Sequence, residues 1–324
     1  MESQRPSYVS VLDPVSPAID RAKFILFRPF DLTKWFVIGF CAFLANLGSG
    51  GGGGSGGGRG GSPPGGGAPD FGQVLNHAKE YVLVNLSWIA PVAIVVVVLI
   101  ITIMLALAWL SSRGRFMFLH CVAQNKAEVA IPWAQFREHA YSLFLFRIVL
   151  GLIGIFVILI PGIITAILVI TSIINHKFAA GAILGVIFLG LIIFTISILV
   201  AMVSKFTTDF VVPIMFIRTT SVRAAWNEFL SVLSINKARF FIYFLFNILL
   251  SMGIGILLLG IVIITCCCAC CFFAIPYIGT VVTLPIHIFK RSYSLYYLRQ
   301  YGQQFDVFVN DSENHPQHFS ENPV

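Results

Sequence analysis

The sequence predicts an all-α, polytopic transmembrane helix bundle of about six spans in three hairpins, with amphipathic helices lying at the membrane interface. Three observations carry this expectation. Of the 324 residues 57% are hydrophobic and only 11% are charged, and the mean hydropathy is +0.89. Ordinary soluble domains have about 45–50% apolar and about 25% charged residues, so a water-soluble fold could not hide this much apolar surface. The apolar residues gather in long runs, and the basic residues gather at the ends of those runs.

The runs are Trp35 to Leu47, Trp88 to Leu110, Leu143 to Ile174, Ala179 to Val203 and Phe240 to Ile288. A helix needs roughly 20 residues to cross about 30 Å of hydrocarbon, so the last run must fold back on itself, with its turn near Thr265 to Cys271. The first run has 13 residues and reaches only about 20 Å. It therefore either begins at Leu32 with Lys34 snorkelling, or is re-entrant.

With the N-terminus cytoplasmic, six crossings put residues 1–34, 111–142, 204–239 and 289–324 inside. Those segments hold 17 of the 21 basic residues; Arg59, Lys79 and Lys177 fall outside them, and Arg147 lies within a span. This is the bias that orients membrane proteins, with both termini on the cytoplasmic side. It also absorbs the net charge of +7, leaving no basic face for a nucleic acid. No small-residue cleavage site follows a short apolar region near the N-terminus, so no cleaved signal peptide is expected.

Residues 1–302 read as one transmembrane domain. Within it, 48–70 form a glycine-rich external loop, in which 14 of the 20 residues from Gly48 to Gly67 are glycine. That loop lacks the Lys-Ser or Lys-Thr pair of a phosphate-binding loop. Residues 303–324 are polar, lack an apolar stripe and are expected to form a disordered cytoplasmic tail.

A repeat runs through the chain. Pro17 to Phe30, Ile131 to Tyr141 and Val222 to Leu233 each read as an amphipathic interfacial helix ahead of a hairpin. Trp133-x-x-Phe136 matches Trp226-x-x-Phe229, and Val212-Pro213-Ile214 ahead of Arg218 matches Leu284-Pro285-Ile286 ahead of Lys290 and Arg291. Pro161-Gly162, Pro276, Gly279 and Pro285 within apolar runs read as kinks, with broken transporter helices as the alternative.

Groups that could carry chemistry are few. All fourteen carboxylates fall outside the expected spans, which weighs against proton-coupled transport. Arg147, about one turn into its span, snorkels to the inner headgroups or pairs with Asp209, and Asp209 could cap a short helix from Phe210 to Ile217. His287 near the inner end of the last span completes a set of three polar candidates: Asp209, Arg147 and His287. Cys266, Cys267, Cys268, Cys270 and Cys271 lack the paired spacing of a zinc site and read as small apolar filler or occasional disulfides. No catalytic, metal or cofactor motif is present, so an enzyme is unsupported and no cofactor is expected.

At Phe27-Arg28-Pro29-Phe30-Asp31-Leu32 with Lys34-Trp35-Phe36, and at Asp209-Phe210-Val211-Val212-Pro213-Ile214-Met215, the chain resembles a group of uncharacterised prokaryotic multi-pass membrane proteins. That group is similar to the membrane domain ahead of some glycerophosphoryl diester phosphodiesterases. The resemblance implies a multi-pass protein of the cell membrane with interfacial helices between hairpins, and it carries over no catalytic residue. A catalytic barrel of about 250 residues has no room here.

The expected role is a non-enzymatic membrane scaffold or lipid-interacting module whose partners are membrane lipids with anionic headgroups. A transporter or channel for a small solute, and a membrane-embedded enzyme of lipid metabolism, are the alternatives.

Overall fold

The computed structural model describes residues 9–47, 84–174, 180–265 and 275–308. The glycine-rich loop, the cysteines between 266 and 271, His77, His176, His315 and His318 lie outside them. The described residues contain no strand. The chain is all-α.

In order, the helices are α1 (Val15–Phe27), α2 (Leu32–Asn46), α3 (Leu86–Gln124), α4 (Ala130–Gln135), α5 (Arg137–Ile174), α6 (Ala180–Phe206), a π-helical turn (Thr207–Val211), α7 (Val212–Arg218), α8 (Val222–Ile235), α9 (Lys237–Ile264), α10 (Pro276–Val282) and α11 (Leu284–Arg299), followed by a 3-10 turn (Gln303–Phe305). Four continuous helical stretches are long and apolar enough to cross a membrane: Ser87–Gln124, Arg137–Ser172, Leu184–Arg218 and Lys237–Ile264. They correspond to four of the six expected crossings.

The first and last apolar segments are built differently. Helix α2 begins at Leu32, capped by Asp31, whose carboxylate accepts from the Thr33 amide at 2.8 Å. Its 15 residues span about 22 Å. The apolar residues before Lys290 lie in two shorter helices, α10 and the start of α11, separated at Thr283. Helix α10 packs on α2: Gly39 meets the Val281 side chain, and Tyr277 donates to the Phe36 carbonyl at 3.0 Å.

Helix α3 shows how the molecule is divided. Its 39 residues reach about 58 Å, well beyond the roughly 30 Å hydrocarbon layer. From Val92 to Leu105 the large side chains are exposed, whereas from Ser111 to Ala123 all but Arg113 are buried. Helix α2 runs antiparallel beside this buried third. Ser111 donates to the Ala45 carbonyl at 3.0 Å, Cys121 and Cys41 bring their sulfurs to 3.9 Å, and Lys34 reaches Asn125 at 2.8 Å instead of snorkelling. The end of α2 thus lies level with Ser111, where the lipid-facing stretch of α3 begins.

The core is aromatic and sits at this same end. Phe210 packs between Phe229 at 5.2 Å, Phe240 at 5.2 Å and Tyr243 at 4.9 Å. Phe136 stacks on Phe116 and Phe216. The matched Trp-x-x-Phe pairs therefore play one part: both phenylalanines, Phe136 and Phe229, are buried. Pro213 follows the π-helical turn within one continuous helical stretch, whereas Pro285, expected as a kink, stands in the first turn of α11 after the break at Thr283, where a missing N–H is tolerated.

The three stretches expected at the interface turn apolar faces into the protein. Helix α1 buries Ala18, Ala22, Ile25 and Leu26, and α8 buries Val222, Ala225 and Phe229. The middle stretch breaks at Phe136, between α4 and α5. Beyond Gly302 the chain still packs on the bundle: Phe305 and Phe308 are buried, Phe308 stacks on Tyr296, and Arg299 pairs with Asp306 at 2.9 Å.

Candidate functional site

Helix α6 ends in a local widening. Thr207 and Thr208 turn their hydroxyls back onto the carbonyls of Val203 and Ser204, at 2.7 and 3.0 Å, a pattern that bends helices. Four residues after Asp209, Pro213 has no N–H to return to it. The helix opens into the π-helical turn, a form common at functional sites.

The turn presents two groups. Its Thr208 carbonyl accepts from Arg291 Nη1 at 2.6 Å, and the Thr208 hydroxyl accepts from Arg115 Nη1 at 2.7 Å. Asp209 is buried, and its Oδ2 accepts from Tyr243 at 2.9 Å and pairs with Lys205 Nζ at 2.9 Å. Asp209 therefore does not cap the following helix, because helical backbone runs through it. Nor does it pair with Arg147, since its partners lie on α6 and α9.

Arg147 bonds elsewhere. Its Nη1 donates to Ser111 at 3.1 Å, Ser112 at 3.2 Å and the Ala108 carbonyl at 3.5 Å. Arg147, Arg291 and Asp209 nevertheless all lie within electrostatic reach of Arg115, and Lys205 and Asp209 within reach of Lys290. One carboxylate thus faces four cationic side chains, Arg115, Lys205, Lys290 and Arg291, from α3, α6 and α11, and Arg147 of α5 adjoins them through Arg115. His287 stands apart, on Asn46 at 3.4 Å.

Burial makes this imbalance matter. Arg115 and Arg291 are 7% and 8% exposed, and Arg115 Nε, Arg291 Nε and Arg291 Nη2 have no hydrogen-bond partner. Burial pushes the Arg291 guanidinium down to about 10, with the Asp209 carboxylate opposing the fall. It stays cationic at neutral pH. Tyr243 lies within electrostatic reach of it, and Tyr297 and Tyr293 pack on Tyr243 with ring centroids 4.4 and 5.7 Å away. Charges in such surroundings interact far more strongly than in water.

Beside the cluster, α5 and α6 enclose a groove of about 610 Å³, lined by Arg147, Gly151, Gly154, Ile158, Val200 and Ser204 among others. Among the described residues no group of His, Cys, Asp and Glu is arranged to hold a metal ion.

Sequence reasoning singled out Asp209 and Arg147 but counted Arg115, Lys205, Lys290 and Arg291 only as orienting charges. A signal was available in Tyr293 and Tyr297, four residues apart on one face of a polar helix. That spacing marks a buried tyrosine pair, and Arg291 beside it is buried as well.

A family model for a family of unknown function, DUF7544, matches residues 9–282. The chain belongs to this family. The match takes in the π-helical turn, Asp209, Tyr243, Arg115, Arg147 and Lys205, while Lys290 and Arg291 follow its end. No curated protein and no solved structure matches the DUF7544 chain significantly.

Proposed function

We propose that this protein is a non-enzymatic, lipid-interacting module of the cell membrane, with its termini and its cationic cluster on the cytoplasmic side. One observation carries the reading. In the most apolar window of the first three long helices none of the residues is buried inside the protein, and in the fourth only 6% are. A transport path needs spans that close around a shared polar lumen. Here many large apolar side chains of the spans stay exposed for lipid to cover, while packing and charge concentrate at one end.

The sign of that end supports the rest. Cationic clusters at the inner membrane surface attract anionic lipid, by about 1 kcal/mol for each basic residue near the surface. The basic bias of the sequence supports the cytoplasmic orientation. The resemblance to membrane domains that precede lipid-headgroup phosphodiesterases fits the same setting, as analogy.

Native mass spectrometry of the full chain, released from detergent with equal amounts of phosphatidylglycerol and phosphatidylcholine, tests the reading. Preferential retention of the anionic lipid is expected. Equal retention of the two would overturn it.

A further inference from the structure

We propose that the groove between α5 and α6 is a binding site for one anionic phospholipid, with the headgroup phosphate on Arg147 and Ser204 and an acyl chain along Gly151, Gly154 and Ile158. This deepens the lipid-interacting reading and rests on it.

The distribution of polarity along the groove selects an amphiphile. Its lining is aliphatic or glycine except for Arg147 and Ser204, which stand at the inner end of their helices. From Arg147 to Leu159 the groove follows α5 for about 18 Å at about 1.5 Å per residue, close to the hydrocarbon depth of one leaflet. A volume of about 610 Å³ lies within the range of roughly 300–1,000 Å³ typical of small-molecule sites. A soluble anion would leave the apolar part uncovered, and a neutral lipid would leave the arginine unanswered.

The charge at the head selects an anion. Arg147 spends its hydrogen bonds, all through Nη1, on two hydroxyls and a carbonyl, which are neutral acceptors. Lys205 adjoins Ser204 in the chain, and Arg115 lies behind with a buried, unpartnered Nε. The carboxylate of the neighbouring cluster, Asp209, is already engaged by Lys205 and Tyr243. Guanidinium groups pair with phosphate through two N–H donors. Nε and Nη2 of Arg147 supply such an edge.

The two glycines make the groove rather than the helix contact. A Cβ on Gly151 would meet nothing within 4 Å, and one on Gly154 would meet only Val200 Cγ1 at 3.7 Å. Helices α5 and α6 do not need glycine there in order to approach. The space is left over, and side chains at these positions would fill it.

The experiment uses the full-length protein in detergent, with phosphatidylglycerol and phosphatidylcholine of matched chain length as probes in native mass spectrometry. The wild type should hold one phosphatidylglycerol per chain. Arg147→Gln should cut its retention by about tenfold or more, the equivalent of losing a charge-assisted hydrogen-bonded pair. The double variant Gly151→Leu/Gly154→Leu, which leaves the cluster untouched, should lose it as well while melting at the wild-type temperature. Arg147→Lys, which keeps the charge, should retain the preference for the anionic lipid.

Undiminished phosphatidylglycerol retention in both the arginine-to-glutamine and the glycine variants would overturn the groove assignment and leave the lipid-interacting reading standing. Absence of anionic preference in the wild type would overturn both. Displacement of the lipid by inorganic phosphate alone at equal concentration would reduce the site to an anion pocket and overturn the acyl-chain part.

Discussion

Tyr243 donates to the same Asp209 oxygen that Lys205 reaches, each at 2.9 Å, so one carboxylate oxygen ties α6 to α9 at the centre of the cationic cluster. The two partners are unequal. Tyr243 is fully buried, whereas the Lys205 side chain is 34% exposed.

The magnitudes follow from that difference. Asp209→Asn leaves several buried cations without their counter-charge and should cost about 3–5 kcal/mol. Tyr243→Phe removes one buried donor and should cost about 1–3 kcal/mol. Lys205→Met removes a solvent-screened pair and should cost below about 1 kcal/mol. Thermal unfolding in detergent checks the order; a lysine variant less stable than the aspartate variant would show that the tyrosine bond is not what holds the carboxylate.

Gly114 marks the closest approach of α2 to α3. A Cβ there would lie 2.5 Å from the Ala45 nitrogen and 2.5 Å from the Leu44 carbonyl carbon, backbone atoms that cannot move aside cheaply. Gly114→Ala should destabilise the protein by about 1–3 kcal/mol, whereas Gly253→Ala, which meets open space, should not lower the melting temperature. Equal melting of the two variants would mean that α2 does not sit against α3 as described.

Phe305 and Phe308, 2% and 5% exposed, should make the last described segment part of the stable unit. A chain ending at Gly302 loses two buried aromatic side chains, each worth about 1.5–3 kcal/mol, and should melt well below the wild type. A chain ending at Asn310 should melt like the full protein. Unchanged melting of the shorter chain would place those rings outside the cooperative core.

The proposed orientation has its own test. Alkaline phosphatase fused after Gly60 should be active, because the proposed orientation puts the glycine-rich loop outside, and the same enzyme fused after Val324 should be silent. The reverse pattern would invert the protein in the membrane.

Much of the fold was legible in the residues. Uniform hydropathy over more than 20 residues has one physical solution, a helix that satisfies its own backbone in lipid, and four long helices appear where such runs occur. Where the runs were short, hydropathy left the number of spans open. The residues of α2 pack on α3 and α10, and burial in protein leaves the same mark on composition as burial in lipid.

The candidate site was only half visible. The sequence by itself determined that this is an all-α membrane protein with its positive charge gathered at the ends of its apolar runs, since transfer energies depend on residue type and run length alone. Only the tertiary structure decided that Arg115, Arg291, Lys205 and Lys290 share a cluster with Asp209 and Arg147. These residues lie on four helices separated by as many as 176 positions in the chain, and no local pattern encodes which helices meet. Packing of the aromatic core around the π-helical turn brings them together.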